Sequence, residues 1–185
     1  MKNKYLTSYF PLMAILLFSL SFSAIAEKEL LGWLSGIGVY EGMKEFFPEA
    51  GIKLALLIIC MACCFMIFAA LKLIADTING LSLLFFSKDE SGEAIAKSRS
   101  GSVIYLAGGA LSLFSFFSFY TMAGIFLAAT VIYFIYFVYI SGSSISLAGL
   151  IGIIFFQVIS WASLLSILLF ITLKLYNSVM ASLPV

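Results

Sequence analysis

Residues 101–173, GSVIYLAGGALSLFSFFSFYTMAGIFLAATVIYFIYFVYISGSSISLAGLIGIIFFQVISWASLLSILLFITL, contain no Asp, Glu, Lys, Arg or His. A helix needs about 20 apolar residues to cross a hydrocarbon core of about 30 Å, so a charge-free run of about 73 residues is too long for two crossings and right for three. Polar or flexible residues mark the divisions, at Tyr120 to Gly124 and at Ser141-Gly142-Ser143-Ser144. The expected spans are 103–120, 123–140 and 146–173, bounded by Arg99 on one side and Lys174 on the other.

Upstream of this run the chain turns polar. The connection 76–102 holds Ser87-Lys88-Asp89-Glu90-Ser91-Gly92-Glu93, then Lys97 and Arg99, with an apolar patch from Leu81 to Phe86 suited to a membrane interface. Before it lies another apolar span, 51–75, entered through Pro48 and Glu49, a proline and an acid where a first helical turn favours both. Lys53 and Lys72 with Asp76 bound that span, and their long stems let them snorkel to the headgroups.

Residues 27–50 carry five acids, Glu27, Glu29, Glu41, Glu45 and Glu49, among Trp33, Ile37, Tyr40, Met43 and Phe47. The pattern reads as an amphipathic segment on the outer membrane surface, with a solvated linker as the alternative. Glycines at 32, 36, 38 and 42, each costing about 1 kcal/mol in a helix interior, predict a two-part helix. The first 26 residues have the order of a secretory signal: Lys2 and Lys4, an apolar stretch to about Phe22, then Ala24 and Ala26 at the small-residue cleavage positions before Glu27-Lys28-Glu29. Cleavage after Ala26 is the expectation, leaving a periplasmic tail at 176–185. The fold class expected is thus an all-α membrane bundle of about four transmembrane helices.

Composition agrees. Hydrophobic residues make up 63% of the chain and charged ones 10%, against about 25% charged in soluble domains, and mean hydropathy is +1.17. Net charge is +1, which provides no attraction for nucleic acid. Lys72, Lys88, Lys97 and Arg99 gather on one side of the predicted spans and mark it as cytoplasmic. The mature N-terminus and Lys174 then face the periplasm, in the inner membrane of a bacterial-type envelope. Tyr133, Tyr136 and Tyr139 fall near the cytoplasmic boundary, where aromatic belts form.

Candidate functional residues are few. With no histidine the commonest general base and metal ligand is missing, and no phosphate-loop, zinc-protease or Ser-His pattern occurs, so neither enzyme chemistry nor a catalytic residue, metal, cofactor or small-molecule substrate is expected. Cys60-Met61-Ala62-Cys63 has the spacing of thiol–disulfide exchangers, but sits mid-span with Cys64, where burial suppresses the reactive thiolate. Glu41 and Glu45, four apart, read as a solvated face. Gly108, Ser112 and Ser115 form a small-residue face in one span, and Ala148 with Gly152 in the last; such faces let helices approach closely in lipid. Gln157 is the clearest polar side chain inside a span and is followed by Ser160, Ser163 and Ser166, a pattern that either lines a polar path or bonds neighbouring helices. No charge is expected near mid-membrane, which disfavours proton-driven transport.

The succession of signal, short acidic segment, apolar span, polar loop and the glycine-containing span Gly101-Ser102-Val103 through Gly108-Gly109-Ala110 resembles small membrane subunits of type IV secretion and conjugation machines. The first two mature spans look like a pilin-type hairpin, and the whole layout is similar to multi-spanning Dot/Icm-type inner-membrane proteins. That resemblance implies a non-enzymatic role in an envelope-spanning complex, with Lys97 and Arg99, and Lys88 before them, facing headgroups or cytoplasmic partners. The two added spans depart from a pilin. Partners expected are the bilayer and either other membrane subunits or further copies of the chain. Two other classes stay open: an autonomous channel, holin-like or immunity-type protein, and a thiol oxidoreductase using Cys60 and Cys63.

Overall fold

A computed structural model describes residues 4–87, 93–115, 118–142 and 145–182, and all regular structure among them is helical. The elements are α1 (Lys4–Gly36), α2 (Val39–Lys44), α3 (Glu49–Phe86), α4 (Glu93–Ser98), a 3-10 turn at Arg99–Gly101, α5 (Ser102–Ser112), α6 (Phe119–Gly142) and α7 (Leu147–Ser182). Four helices are long and apolar enough to cross a membrane: Ser8–Gly36, Glu49–Phe86, Phe119–Gly142 and Leu147–Ser182. The all-α class with four long apolar helices is the one expected; which segments supply the four is not.

The first of the four comes from the residues read as a signal peptide. α1 runs unbroken through Ala24 and Ala26, both half-buried, and carries Glu27-Lys28-Glu29 on to Gly36. Conversely, the stretch expected to span at 103–120 forms a helix of 11 residues, about 16 Å at 1.5 Å per residue. It ends where the amides of Phe114 and Ser115 turn back on Leu111 and Ser112 at 3.1 and 3.0 Å, the tighter i to i−3 pattern that closes helices.

Three boundaries move as well. α3 does not stop at Ala75 but continues to Phe86, so residues 76–86 are helix rather than loop. Lys72 and Asp76 pair across one turn of it, and no proline interrupts until Ser87 turns extended. The segment after Glu27 is two helices, as the glycines predict, and the break falls at Gly38, whose φ of 76° is the left-handed conformation that side chains avoid. α3 then starts at Pro48, whose carbonyl accepts the amides of Gly51 and Ile52. α7 reaches Ser182, past the expected end at 173. The Ser143-Ser144 turn and Lys88 lie outside the described residues.

Ring contacts fix the relative heights of the helices. Phe68 of α3 packs on Phe18 and Phe22 of α1 and on Phe126 of α6, and Phe22 also meets Phe119 at the start of α6. Asn79 of α3 meets Tyr133 of α6 and Gln157 of α7, and Phe86 meets Phe156. α3 therefore runs antiparallel to α1 and α7, and α5 antiparallel to α6, with Gly101 beside Tyr133 and Tyr136, and Gly108 beside Ala129.

α1 is the central packing element. Its Ala14, Phe18, Ser19, Ser21 and Ser23 are all buried, against α3 on one side and α5 on the other. A Cβ on Gly109 would meet Leu17 at 3.0 Å and one on Gly108 would meet Ala129 and Phe18 at 3.1 and 3.2 Å, so this glycine pair sets how closely α1, α5 and α6 approach. At the other end Leu83, Phe137 and Ile153 form a small core with Phe86 and Ile145.

Candidate functional site: a polar seam at mid-depth

Apart from buried serines such as Ser19, Ser21 and Ser112, the described polar side chains of the bundle interior gather along one seam. Gln157 is buried, and its Nε2 donates to Asn79 Oδ1 at 2.5 Å; the Asn79 Nδ2 in turn lies 3.4 Å from the Tyr133 hydroxyl. One side chain from each of α3, α6 and α7 thus meets in a knot that satisfies amides otherwise costly in lipid. One turn along, Ser82 is fully buried and donates to the Asn79 carbonyl at 2.8 Å.

On the other side of Asn79 lie Asp76 and Lys72, ion-paired with each other. Asp76 is within electrostatic reach of the Tyr105 and Tyr133 phenols, whose rings meet at a tilt with centroids 5.2 Å apart. The level of this pair follows from the heights above. It lies between the level of Phe68, shared by Phe18 and Phe126, and the level of Asn79, shared by Tyr133 and Gln157. Lys72 and Asp76 therefore lie inside the length of α3, which continues as helix well beyond Ala75. Charge inside an apolar helix is costly and is tolerated when paired.

The expected packing residues divide. Gly108 and Ser112 lie at the α1–α5–α6 contact, where Ser112 Oγ and Ser21 Oγ share a buried hydrogen bond of 2.8 Å. Ser115 is half-buried in the turn after α5. In α7, Gly152 lies under the Phe86 ring, but Ala148 is exposed. The contact residue is its neighbour Gly149, against the Phe86 carbonyl, because α7 turns residues 149, 152, 153, 156 and 157 toward α3. Lys97 and Arg99 are exposed at the same end of the bundle as the 86 and 142 helix ends; Lys97 lines a shallow depression with Tyr139 and Leu150. Tyr133 and Tyr136 face the bundle rather than an interfacial belt, the latter bonding Ser100 at 2.6 Å, while Tyr139 is exposed. Cys60, Cys63 and Cys64 are free thiols, Cys63 exposed and the others half-buried. Among the described residues no three His, Cys, Asp or Glu converge.

Asn79 is the seam residue that the sequence concealed, since it falls in what reads as a loop. Its signal was the spacing Lys72, Asp76, Asn79, Leu83, one helical face carried through the supposed boundary.

Residues 27–184 match the model of a family of unknown function, DUF5366. The chain belongs to that family. It is also 47% identical over 185 residues, the full length of both chains, to the uncharacterized membrane protein YufK of Bacillus subtilis (strain 168). No solved structure matches. With four long apolar helices and a membrane-protein relative along its whole length, this DUF5366 chain is a multi-pass membrane protein in contact with lipid.

Proposed function

We propose that the protein is a non-enzymatic membrane subunit that acts through helix–helix contacts in the bilayer, assembled with other membrane chains or with copies of itself. The observation that carries this reading is the use made of Gln157. Its amide is spent on Asn79, so the most polar intramembrane side chain of α7 ties helices together and lines no open path. α7 supports the same reading from its other half: every residue from 162 to 182 is exposed, a largely apolar helix that leaves its own bundle.

The secretion and conjugation layout is a resemblance that neither the family nor the YufK relative extends, so the machine is left unnamed in this proposal. The orientation proposed keeps Lys97 and Arg99 cytoplasmic and the 27–48 segment outside. α1 is proposed to remain as a helix of the bundle, since cleavage after Ala26 would withdraw Ala14, Phe18 and Ser21 from the interior.

Affinity purification of a C-terminally tagged chain from its native membrane in mild detergent, with native mass measurement, tests the proposal. A particle larger than the 20.2 kDa chain, or reproducible companion membrane chains, is the expected result. A bare monomer that conducts ions in a planar bilayer would replace it with the autonomous channel reading. Activity abolished by Cys60→Ser alone would favour the thiol reading.

A further inference from the structure

A shallow depression of about 500 Å³ lies where the end of α4, the last turn of α6 and the first turn of α7 come together. Lys97 supplies a cation to its rim, Tyr139 a hydroxyl, and Val138, Ile140, Gly142 and Leu150 an apolar floor. No acid is among the described residues that line it. Its neighbours hold it in shape. Ser100 and the Tyr136 hydroxyl share a hydrogen bond of 2.6 Å, and a Cβ on Gly101 would stand 2.7 Å from the Tyr136 ring and 2.9 Å from that of Tyr133, so the segment that carries Lys97 is pressed onto α6. Leu150 closes the floor from the α7 side, 3.7 Å from where a Cβ of Gly142 would be. Since α6 and α7 are both long and apolar enough to span, the turn that joins them falls at a membrane surface.

We infer that this depression binds one anionic phospholipid, its phosphate at Lys97 and the start of its acyl chains against Val138, Ile140 and Leu150. Charge and apolarity select the ligand together. A basic pocket between transmembrane helices attracts acidic headgroups, and an ammonium gives phosphate oxygens charge-assisted hydrogen bonds. A soluble anion gains nothing from an apolar floor, and a zwitterionic lipid brings its own ammonium against Lys97. Tyr139, 80% exposed, stands where an interfacial tyrosine meets a headgroup. The floor also runs on into lipid-facing surface: Ile135, Leu147 and Ile151, within a turn of it on the same two helices, are each more than half exposed. Chains that leave the depression therefore stay in hydrocarbon. This site and the assembly reading do not depend on each other.

Native mass spectrometry of the full chain, stripped of lipid in mild detergent and titrated with dioleoyl phosphatidylglycerol or dioleoyl phosphatidylcholine, tests the site. The expected result is one phosphatidylglycerol retained per chain at concentrations where phosphatidylcholine is not. Lys97→Gln is expected to weaken that retention about fivefold, what one lysine contributes against an anionic headgroup, and Lys97→Arg is expected to keep it. Arg99→Gln removes a cation two residues away that does not line the depression, and is expected to leave retention unchanged. Leu150→Trp, which fills the floor with Lys97 intact, is expected to weaken it as well, with an unchanged melting temperature showing that the chain is folded. Equal retention of the two lipids would overturn the site. So would equal losses in Lys97→Gln and Arg99→Gln, which would show only diffuse attraction to a basic surface. Inorganic phosphate that displaces the lipid completely would overturn the lipid assignment in favour of a soluble anion. Each outcome is read per chain and leaves the assembly reading as it stands.

Discussion

Asn79 and Gln157 show what a single polar residue does in lipid. Each can be left unpaired only at the cost of a bare amide in hydrocarbon, so the two hold α3 to α7 at a fixed register. Gln157→Leu removes the donor and strands Asn79; thermal unfolding in detergent is expected to show a loss of about 1–2 kcal/mol. The double variant Asn79→Leu with Gln157→Leu is expected to recover part of that loss, because no orphaned amide remains. Gly152 makes the opposite point, since its contribution is what it lacks. A Cβ there would overlap the Phe86 ring, so Gly152→Leu is expected to force α3 and α7 apart and lower the melting temperature. Gln157 and Gly152 were legible in the sequence as an isolated polar residue and a small one in an apolar run. Asn79 was not, because a boundary drawn at Ala75 put it among loop residues.

α1 and α5 are where reading element by element diverges from the structure. The features of α1, two lysines, an apolar stretch and Ala24 with Ala26, belong equally to an exported leader and to a first transmembrane helix, and composition does not separate them. Packing argues for the helix: Phe18 meets Phe68 and Phe126, and Ser21 meets Ser112. The expected intact mass of the purified chain is accordingly that of all 185 residues, 20.2 kDa, and a mass lower by the first 26 would show cleavage instead. α5 is short for a reason the hydropathy pattern does not carry. It is sheltered by α1 and α6 through Gly108 and Gly109, and its last turn closes on itself at Phe114 and Ser115.

At the scale of the whole molecule the ends of the bundle are chemically distinct. Lys97 and Arg99 stand at one end, while the 27–48 segment, with Glu41 paired to Lys44 at 2.7 Å, stands at the other. Membrane-impermeant thiol labelling in a cysteine-free background is expected to reach Gly42→Cys from outside the cell and Ser100→Cys only after the membrane is opened; the reverse pattern would invert the orientation. The sequence by itself determined the solvent and the helical class, because lipid obliges every span to satisfy its own backbone. Only the tertiary structure decided which segments are the long helices, that α3 carries Lys72 and Asp76 within its length, and that Gln157 serves a knot. Relative height is a relation among helices: it depends on which residue of one stands beside which residue of another, and no single stretch of the chain contains that information.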